Sequence, residues 1–417
     1  MVEVLSKPKT GSKSVVRTLP KRFMWTGTRA IAEAVKLADV DVIAAYPIRP
    51  YTGVMNSLAK MLADGEFAAE MIGADSEHSQ FEIAKHASAV GARTFVGSSG
   101  VGLAYAAEPI VVTALDQLPV VAMAGCRALD DPGNFGMEWN DVLTFRDSGW
   151  LMSWAKDPQE ALDMVLAAYR VSEDRRVLLP SFVAVDGAAT THISAPVEPP
   201  SEDGIAKFLP PYKPQYPLDP AYGPVTKAQL IAPSLIGPEL RKVVDNAMTN
   251  AAEVIQEAWR DYASFVGREY PPFIEAKCME DAEIALVTMG AYAKDAVHVA
   301  KKLREGGLKV GVIRIRYFRP FPGKELVETL EKVKAVGIVD FSYSFGSADS
   351  SSVLFNELKS ALYESSSRPL LLDFMFIGGR EPSVEHFEQA FMLLQKGSAK
   401  GKIAKHVWWP TLRGENQ

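Results

Sequence analysis

The chain has 417 residues, 47% hydrophobic and 23% charged, with a net charge of −6 and a pI near 5.7. At roughly 150 residues per domain that is two or three cores, and the composition is ordinary for a globular protein. The acidic balance excludes general binding to nucleic acid or an anionic membrane, and no apolar run of about eighteen residues is present to span a bilayer. Two cysteines, Cys126 and Cys278, cannot build a disulfide framework or hold an iron–sulfur cluster alone, and the six histidines lack metal-ligand spacing. A reduced, cytoplasmic, multidomain protein is the expectation.

In chain order, residues 1–22 set Lys7, Lys9, Lys13, Arg17, Lys21 and Arg22 against one acid, Glu3. With no apolar run behind them they read as a basic arm, disordered or ordered by a partner, and not as a secretory signal. From 23 to 195 the periods alternate. Helical runs at Thr28–Leu37, His78–Val90 and Pro158–Val171, and one beginning near Tyr105, interleave with strand runs at Val40–Tyr46, Arg93–Gly97, Leu118–Ala124 and Arg176–Val185. This predicts a doubly wound, mostly parallel α/β sheet.

Residues 196–275 change texture. Nine of the 27 prolines lie between Pro196 and Pro224, which predicts an extended linker without helix. Gly237–Arg268 is helix-compatible throughout, with Val243, Val244, Met248, Ala251 and Ile255 as an apolar stripe for a neighbouring domain or subunit. Residues 276–396 restart the βα pattern as a second α/β domain. Strands are predicted at Glu283–Met289, Lys309–Arg316, Ala335–Asp340 and Leu370–Phe376, and helices at Ala293–Leu303, Lys324–Val333 and Ser352–Tyr363. Arg319–Pro322 reads as a strand-to-helix turn at a subunit contact, and Asp373 with Arg380 as a candidate interdomain pair. The tail, 397–417, carries Trp408 and Trp409, an exposed pair of the kind that marks a subunit contact.

Four segments sit where strands of the first sheet end, the edge at which open α/β sheets bind ligands. YPIRP (Tyr46–Pro50) holds Arg49 between two prolines that restrict the backbone. In DSEH (Asp75–His78), Ser76 or Asp75 can cap a helix with Glu77 in its first turn, or Glu77 can face a ligand nitrogen. GSSGVG (Gly97–Gly102) offers close backbone approach and amides for an anion, but matches neither a dinucleotide fingerprint nor a P-loop. AGCRALDDPGNFG (Ala124–Gly136) brings Arg127 to the same edge, and its Asp130–Gly133 turn is a loop able to move. Cys126 reads as a small buried residue and His78 and His86 as ordinary polar positions; no metal ligand is assigned. Two arginines in one crevice suit a ligand with more than one carboxylate.

The order of these segments resembles the α chain of thiamine-diphosphate-dependent 2-oxoacid:ferredoxin oxidoreductases, from about Phe23 to Gln389. YPIRP resembles that family's YPITP, the DSEHSQFEIAKHASAVGAR stretch its SE-helix-AGAR element, and GSSGVGL its TSGPG. RYFRPFP and GGRE resemble its transketolase-C-like second domain. The resemblance implies a pyrimidine-type cofactor-binding domain at 23–195 and a transketolase-C-like domain at 276–396. It also implies that Glu77 hydrogen-bonds the aminopyrimidine N1′, with Ile48 and Gly100 beside the cofactor. Arg127 would take the substrate carboxylate, with Tyr46, Arg49 and Asp130 around the substrate. The diphosphate and Mg²⁺ would sit on a β subunit, because Val185-Asp186-Gly187 lacks the leading glycine of the family's GDG motif. The [4Fe-4S] clusters would sit on a γ/δ-type subunit, ferredoxin would accept the electrons, and the assembly would be a dimer of heterotrimers.

Arg49 departs from the family's threonine. An unpaired buried arginine costs about 3–5 kcal/mol, which a substrate methyl cannot offset and a second carboxylate can. The arginine form resembles members acting on oxalate, and oxidation of oxalate to two CO₂ is the expected reaction. If the Asp130 loop swings in, its negative charge beside the arginines would favour release of CO₂. Rival readings are a pyruvate or other 2-oxoacid oxidoreductase, with Arg49 turned away, and a non-catalytic scaffold subunit.

Overall fold

The computed structural model describes residues 21–129, 134–225, 236–402 and 405–414. The expected basic arm falls almost wholly at 1–20, outside the described residues, as do Asp130 and Asp131.

The first region runs β1 (Phe23–Thr26), α1 (Gly27–Leu37), β2 (Val42–Ala45), α2 (Tyr51–Ala63), β3 (Glu70–Gly73), α3 (Glu77–Ala89) and β4 (Thr94–Ser98). It continues α4 (Val101–Tyr105), α5 (Ala107–Leu115), β5 (Val121–Cys126), α6 (Asn140–Leu143), β6 (Leu151–Ala155), α7 (Pro158–Ser172), β7 (Ser181–Asp186), α8 (Gly187–Thr191) and β8 (Ser194–Val197). Local chemistry explains the boundaries. Thr26, Ser76 and Asp157 each accept a backbone N–H at a helix start, and Pro158 follows its cap at the first turn, where a missing N–H costs nothing. The helix predicted from Tyr105 instead begins at Val101 and re-forms at Ala107, because the turn at Gly100 has φ +52° and releases the chain straight into helix.

Then come α9 (Glu202–Phe208), α10 (Gly237–Val266), β9 (Ile274–Lys277), β10 (Ile284–Thr288), α11 (Ala293–Glu305), β11 (Val310–Ile315), β12 (Tyr317–Arg319) and α12 (Gly323–Leu330). The chain closes with β13 (Ala335–Asp340), α13 (Val353–Leu362), β14 (Leu370–Met375), α14 (Val384–Lys400) and β15 (Val407–Trp408). Two expectations need correction here. The proline-rich linker does carry a helix, α9, because 201–209 is free of proline and Ser201 caps it through the Gly204 N–H. The two tryptophans are half-buried rather than exposed, since Val407 and Trp408 pair with β14 at the sheet edge.

The first sheet has the order β12-β6-β7-β5-β4-β2-β3, parallel throughout except for β12. The second has the order β15-β14-β13-β10-β11-β9, with β9 antiparallel to β11. β12 comes from the second βα series yet pairs with β6 of the first sheet, so RYFRPFP stitches the regions together within this chain. Arg319 reinforces this by donating to the Arg146 carbonyl at 3.0 Å and to Glu357 at 2.6 Å. The turn after it leads into α12, as predicted.

α10 buries Ala247, Ala251, Val254, Ile255, Ala258, Trp259 and Tyr262; of the expected stripe Ala251 and Ile255 are buried, Val244 and Met248 pack half-buried against the same core, and Val243 is exposed. The buried side chains join the core of α1, α2 and α7, and each of the large ones contributes roughly 1.5–3 kcal/mol. On the other face of the first sheet the apolar cluster runs unbroken from Phe81 and Trp150 through Trp139 to Phe318, Phe341 and Phe376 of the second region. Asp373 and Arg380 are not partners. Asp373 accepts from Ser352, and Arg380 donates to the Thr411 carbonyl. No helix among the described residues is long and apolar enough to cross a membrane.

Candidate active site

The carboxyl ends of β2, β4 and β5 and the start of α3 converge, as the sequence predicted. Ser76 is the cap of α3, accepting from the Ser79 N–H at 3.1 Å, and Asp75 accepts from the Ser79 hydroxyl at 2.5 Å. The capping role is thereby filled, and no described residue bonds the half-buried carboxylate of Glu77. That carboxylate points at a bare backbone. A Cβ on Gly102 would lie 2.7 Å from Glu77 Oε1, 2.7 Å from Ile48 Cδ1 and 2.6 Å from Ser98 Oγ. The Ser98 hydroxyl is buried without a protein partner. Glu77, Ile48 and Ser98 thus close on Gly102, setting a carboxylate, an apolar side chain and an unused hydroxyl side by side.

Beside it lies a cleft of about 380 Å³ lined by Arg49, Pro50, Arg127, Phe135, Gly187, Ala188 and His192. The two predicted arginines are together in it. Ser99 links their loops: its hydroxyl donates to the Arg49 carbonyl and stands 3.2 Å from Arg127 Nε as acceptor. Arg127 is buried, its guanidinium 4.8 Å from the Phe135 ring centre, and its Nη1 has no partner among the described residues. Arg49 differs from expectation, because its side chain is exposed and only its backbone is held. The burial argument applied to Arg49 therefore belongs to Arg127.

Other predicted residues are placed less fully. Tyr46 is half-buried, and its amide donates to Gln80 Oε1 at 3.0 Å. Gly100 lies against Arg127, whose Nε a Cβ there would meet at 2.9 Å. Its amide is not available for an anion, contrary to the reading of the glycine turn, because Asp141 Oδ2 accepts it at 2.9 Å. Cys126 is fully buried, and burial pushes its thiol up, as suits an inert residue.

Three contributors were missed in the sequence. Gln80, fully buried, ties the Tyr46 amide to the Gly97 carbonyl and so joins the ends of β2 and β4. His192 faces the cleft, with its Nδ1 2.7 Å from Thr191 Oγ1. Asp141 is fully buried and also accepts the Arg127 and Val142 N–H groups, at 3.1 and 2.8 Å. Burial pushes it up to about 7, opposed by those N–H groups and the Arg127 charge. The acid of the defective GDG motif, Asp186, is committed to Trp139 Nε1 and the Ala291 N–H. A second groove, of about 410 Å³, lies among Ser88, Leu118, Arg176 and Tyr212, and none of the predicted site residues lines it.

The model of the family described as pyruvate flavodoxin/ferredoxin oxidoreductase, thiamine diP-binding, matches residues 33–260, more than half the chain. The chain belongs to this family. The pyruvate:ferredoxin oxidoreductase core domain II follows at 282–387. Pyruvate synthase subunit PorA of Pyrococcus abyssi is 38% identical over 95% of this chain and 100% of its own length. Ketoisovalerate oxidoreductase subunit VorA of Pyrococcus horikoshii is 33% identical over 94% and 99%. Among solved structures, 2-oxoglutarate:ferredoxin oxidoreductase from Magnetococcus marinus shares the fold at a TM-score of 0.67 and 17% identity; the match covers 90% of this chain and 64% of that one. A split-gene transketolase shares it at a TM-score of 0.54 and 14% identity, over 90% of this chain and 98% of its own.

The family member is thus an α-type subunit of the 2-oxoacid:ferredoxin oxidoreductase class, dependent on thiamine diphosphate. The groups that close on Gly102 have the chemistry an aminopyrimidine would need: the Ile48 hydrocarbon, the Glu77 carboxylate, which no described residue bonds, and the buried Ser98 hydroxyl, without a partner among the described residues.

Proposed function

We propose that this subunit holds the pyrimidine half of the cofactor and the substrate, and that the substrate is a small dicarboxylate, oxalate, taken to two CO₂ with two electrons passed towards ferredoxin. The observation that carries this is Arg49 and Arg127 in one cleft, the latter with a buried, unpartnered Nη1. An unsatisfied buried donor costs about 1–3 kcal/mol and more when charged, so Arg127 is poised for an anion. A carboxylate answers it with a charge-assisted bond. Arg49, on the same cleft, supplies a second charge that a substrate methyl group cannot use.

The bound cofactor supplies a nucleophilic carbon and an electron sink for loss of CO₂. Glu77 would hold the ring nitrogen N1′ and share a proton with it when the cofactor is bound, a charge-assisted bond of the strong kind. Ile48 packs on the ring, and Gly100 lets the backbone approach beside Arg127. Arg127 and Arg49 orient the two carboxylates and offset their charge, with Tyr46 bordering the substrate. Mg²⁺, the diphosphate motif and the [4Fe-4S] clusters belong to β- and γ/δ-type partner subunits, in a cytoplasmic dimer of heterotrimers. The two cysteines of this chain fall short of the four thiolates such a cluster takes.

A second reading, a monocarboxylic 2-oxoacid, is favoured by the names of the relatives, pyruvate synthase and ketoisovalerate oxidoreductase. The test uses the complete complex, purified anaerobically, with thiamine diphosphate, Mg²⁺ and a viologen acceptor. Oxalate and pyruvate are compared in the natural protein and in Arg49→Thr. Oxalate-dependent reduction lost in Arg49→Thr supports the dicarboxylate. Pyruvate turnover without response to oxalate sinks it and leaves the second reading, and silence on both points to a scaffold.

A further inference from the structure

Among the described residues the second α/β region lends none to the cleft, yet it grips a strip of chain that holds Arg127. Glu138 Oε1 accepts the Gly378 N–H at 2.5 Å, and the Trp139 N–H donates to the Phe341 carbonyl at 2.8 Å. Asn140 makes a two-way bond with the backbone of Tyr343, donating at 3.0 Å and accepting at 2.8 Å. Gly136 packs directly on the backbone of Gly379, leaving no room for a Cβ. The same strip ends on the site. Phe135 lies over the Arg127 guanidinium at 4.8 Å, and Asp141 accepts the amides of both Arg127 and Gly100.

We propose that residues 135–141 are a positioning strip through which the second α/β region sets the substrate arginine. The strip is held from one side by Phe341, Tyr343, Gly378 and Gly379, and it holds Arg127 between Phe135 and Asp141. This assigns a purpose to the GGRE turn and explains why Gly136 carries no side chain, since the Gly379 backbone fills its place, and why Gly379 carries none, since it has φ +71° and the Asn134 side chain lies against it. It also makes Asp141 and Asn140 positioning residues rather than catalytic ones, since their bonds run to Arg127, Gly100 and Tyr343. The inference rests on the reading of Arg127 as the substrate-carboxylate contact.

The strip is loosened from both ends in the complete complex. Asp141→Asn removes the acceptor of two converging amides, and Asn140→Ala cuts the bond to Tyr343. Misplacing a binding group by about 1 Å costs up to ~100-fold, so a ~10-fold rise in KM for the turned-over substrate, oxalate or pyruvate, is expected for either variant. kcat should stay within about twofold, because Glu77 is not on the strip. The decisive measurement is the cycle with Arg127→Lys. In that background the further rise from Asp141→Asn or Asn140→Ala should vanish. Additive effects would overturn the coupling while leaving Arg127 as the substrate contact. An unchanged KM in Arg127→Lys alone would remove that contact and the proposal with it. Should Asp141→Asn fail to fold, the Asn140→Ala cycle decides alone, and an unchanged KM there counts against the proposal.

Discussion

A methyl group at Gly102 tests the proposed cofactor half of the site most directly. In Gly102→Ala the new methyl would stand 2.6–2.7 Å from Ser98 Oγ, Glu77 Oε1 and Ile48 Cδ1, where ordinary contact begins at 3.4 Å. Each neighbour must retreat by roughly 0.7 Å, and all three are the free ends of side chains, so the backbone can stay where it is. Overpacking of this kind costs about 1–3 kcal/mol, and alanine recovers about 0.8–1.0 kcal/mol of helix propensity over glycine. Global stability should therefore change by no more than about 2 kcal/mol. On the proposed placement of the aminopyrimidine against Glu77 and Ile48, function should suffer more, because these are the displaced groups. At 1.4 kcal/mol per decade the cost converts to a ~10- to 100-fold weaker Kd for thiamine diphosphate. Titration calorimetry on the cofactor-stripped complex reads the Kd, and a thermal melt reads the fold. Ile48→Ala in the same molecule should restore part of the affinity by giving the methyl space. Unchanged cofactor affinity with an unchanged melt would refute that placement.

Other outcomes follow from the buried charges. Asp373 is pushed up to about 8 and Asp340 to about 6, mainly by burial and, for Asp373, also by the Asp340 charge. The folded chain therefore holds protons that the unfolded chain releases near pH 4, and stability falls as pH rises from about 4 to 8. Asp373→Asn, which can still bond Ser352, should flatten that decline in melts at pH 5, 6.5 and 8; an unchanged slope would count against it. Glu160 is held down to about 2 despite its burial, by Arg314, Arg316 and Lys156. Its contribution is complete above about pH 4.5 and is lost as pH falls towards 2, so a separate acid-side loss of stability is expected. Glu160→Ala strands Arg316, fully buried and bonded to Glu160 Oε1 at 2.7 Å, and should cost about 3–5 kcal/mol in denaturant unfolding. A loss under 1 kcal/mol would show that the network relaxes.

The repeating βα order was legible because it is local: alternating periods and the cap at Ser76 need no distant partner. What was missed depends on partners far along the chain. β12 is three residues whose pairing lies with Ser153 and Met152, and nothing in RYFRPFP names that strand. α9 hid in a proline-rich stretch because composition was averaged across a nine-residue gap free of proline. In the site, Arg49 and Arg127 stood out by position at strand ends and Glu77 at a helix start, while Ile48 came only with the family resemblance. Asp141 did not, since it sits in a four-residue helix and its bonds reach back 41 residues to Gly100 and 14 to Arg127. Gln80 likewise looked like one polar residue on an amphipathic helix, although it joins two strand ends. Exposure of Arg49 could not be read from a motif, because both prolines restrain its backbone and neither restrains its side chain.

How the chain handles its acids explains why the cleft can take an anion at all. A carboxylate buried beside a guanidinium would normally pair with it and quench its charge. Asp141, the acid bonded to Arg127, instead accepts three backbone N–H groups, including the amide of Arg127 itself. Asp186, which precedes Gly187 at the cleft, is spent on Trp139 and Ala291. Backbone amides thus satisfy the Asp141 carboxylate without spending the guanidinium, and Arg127 keeps an unpartnered Nη1. The same arrangement ties the charge to geometry. If Asp141 were free to turn, its shortest route to a full charge partner would be the guanidinium it now leaves alone. Holding 135–141 in place from the second region is therefore also what keeps Arg127 available to substrate.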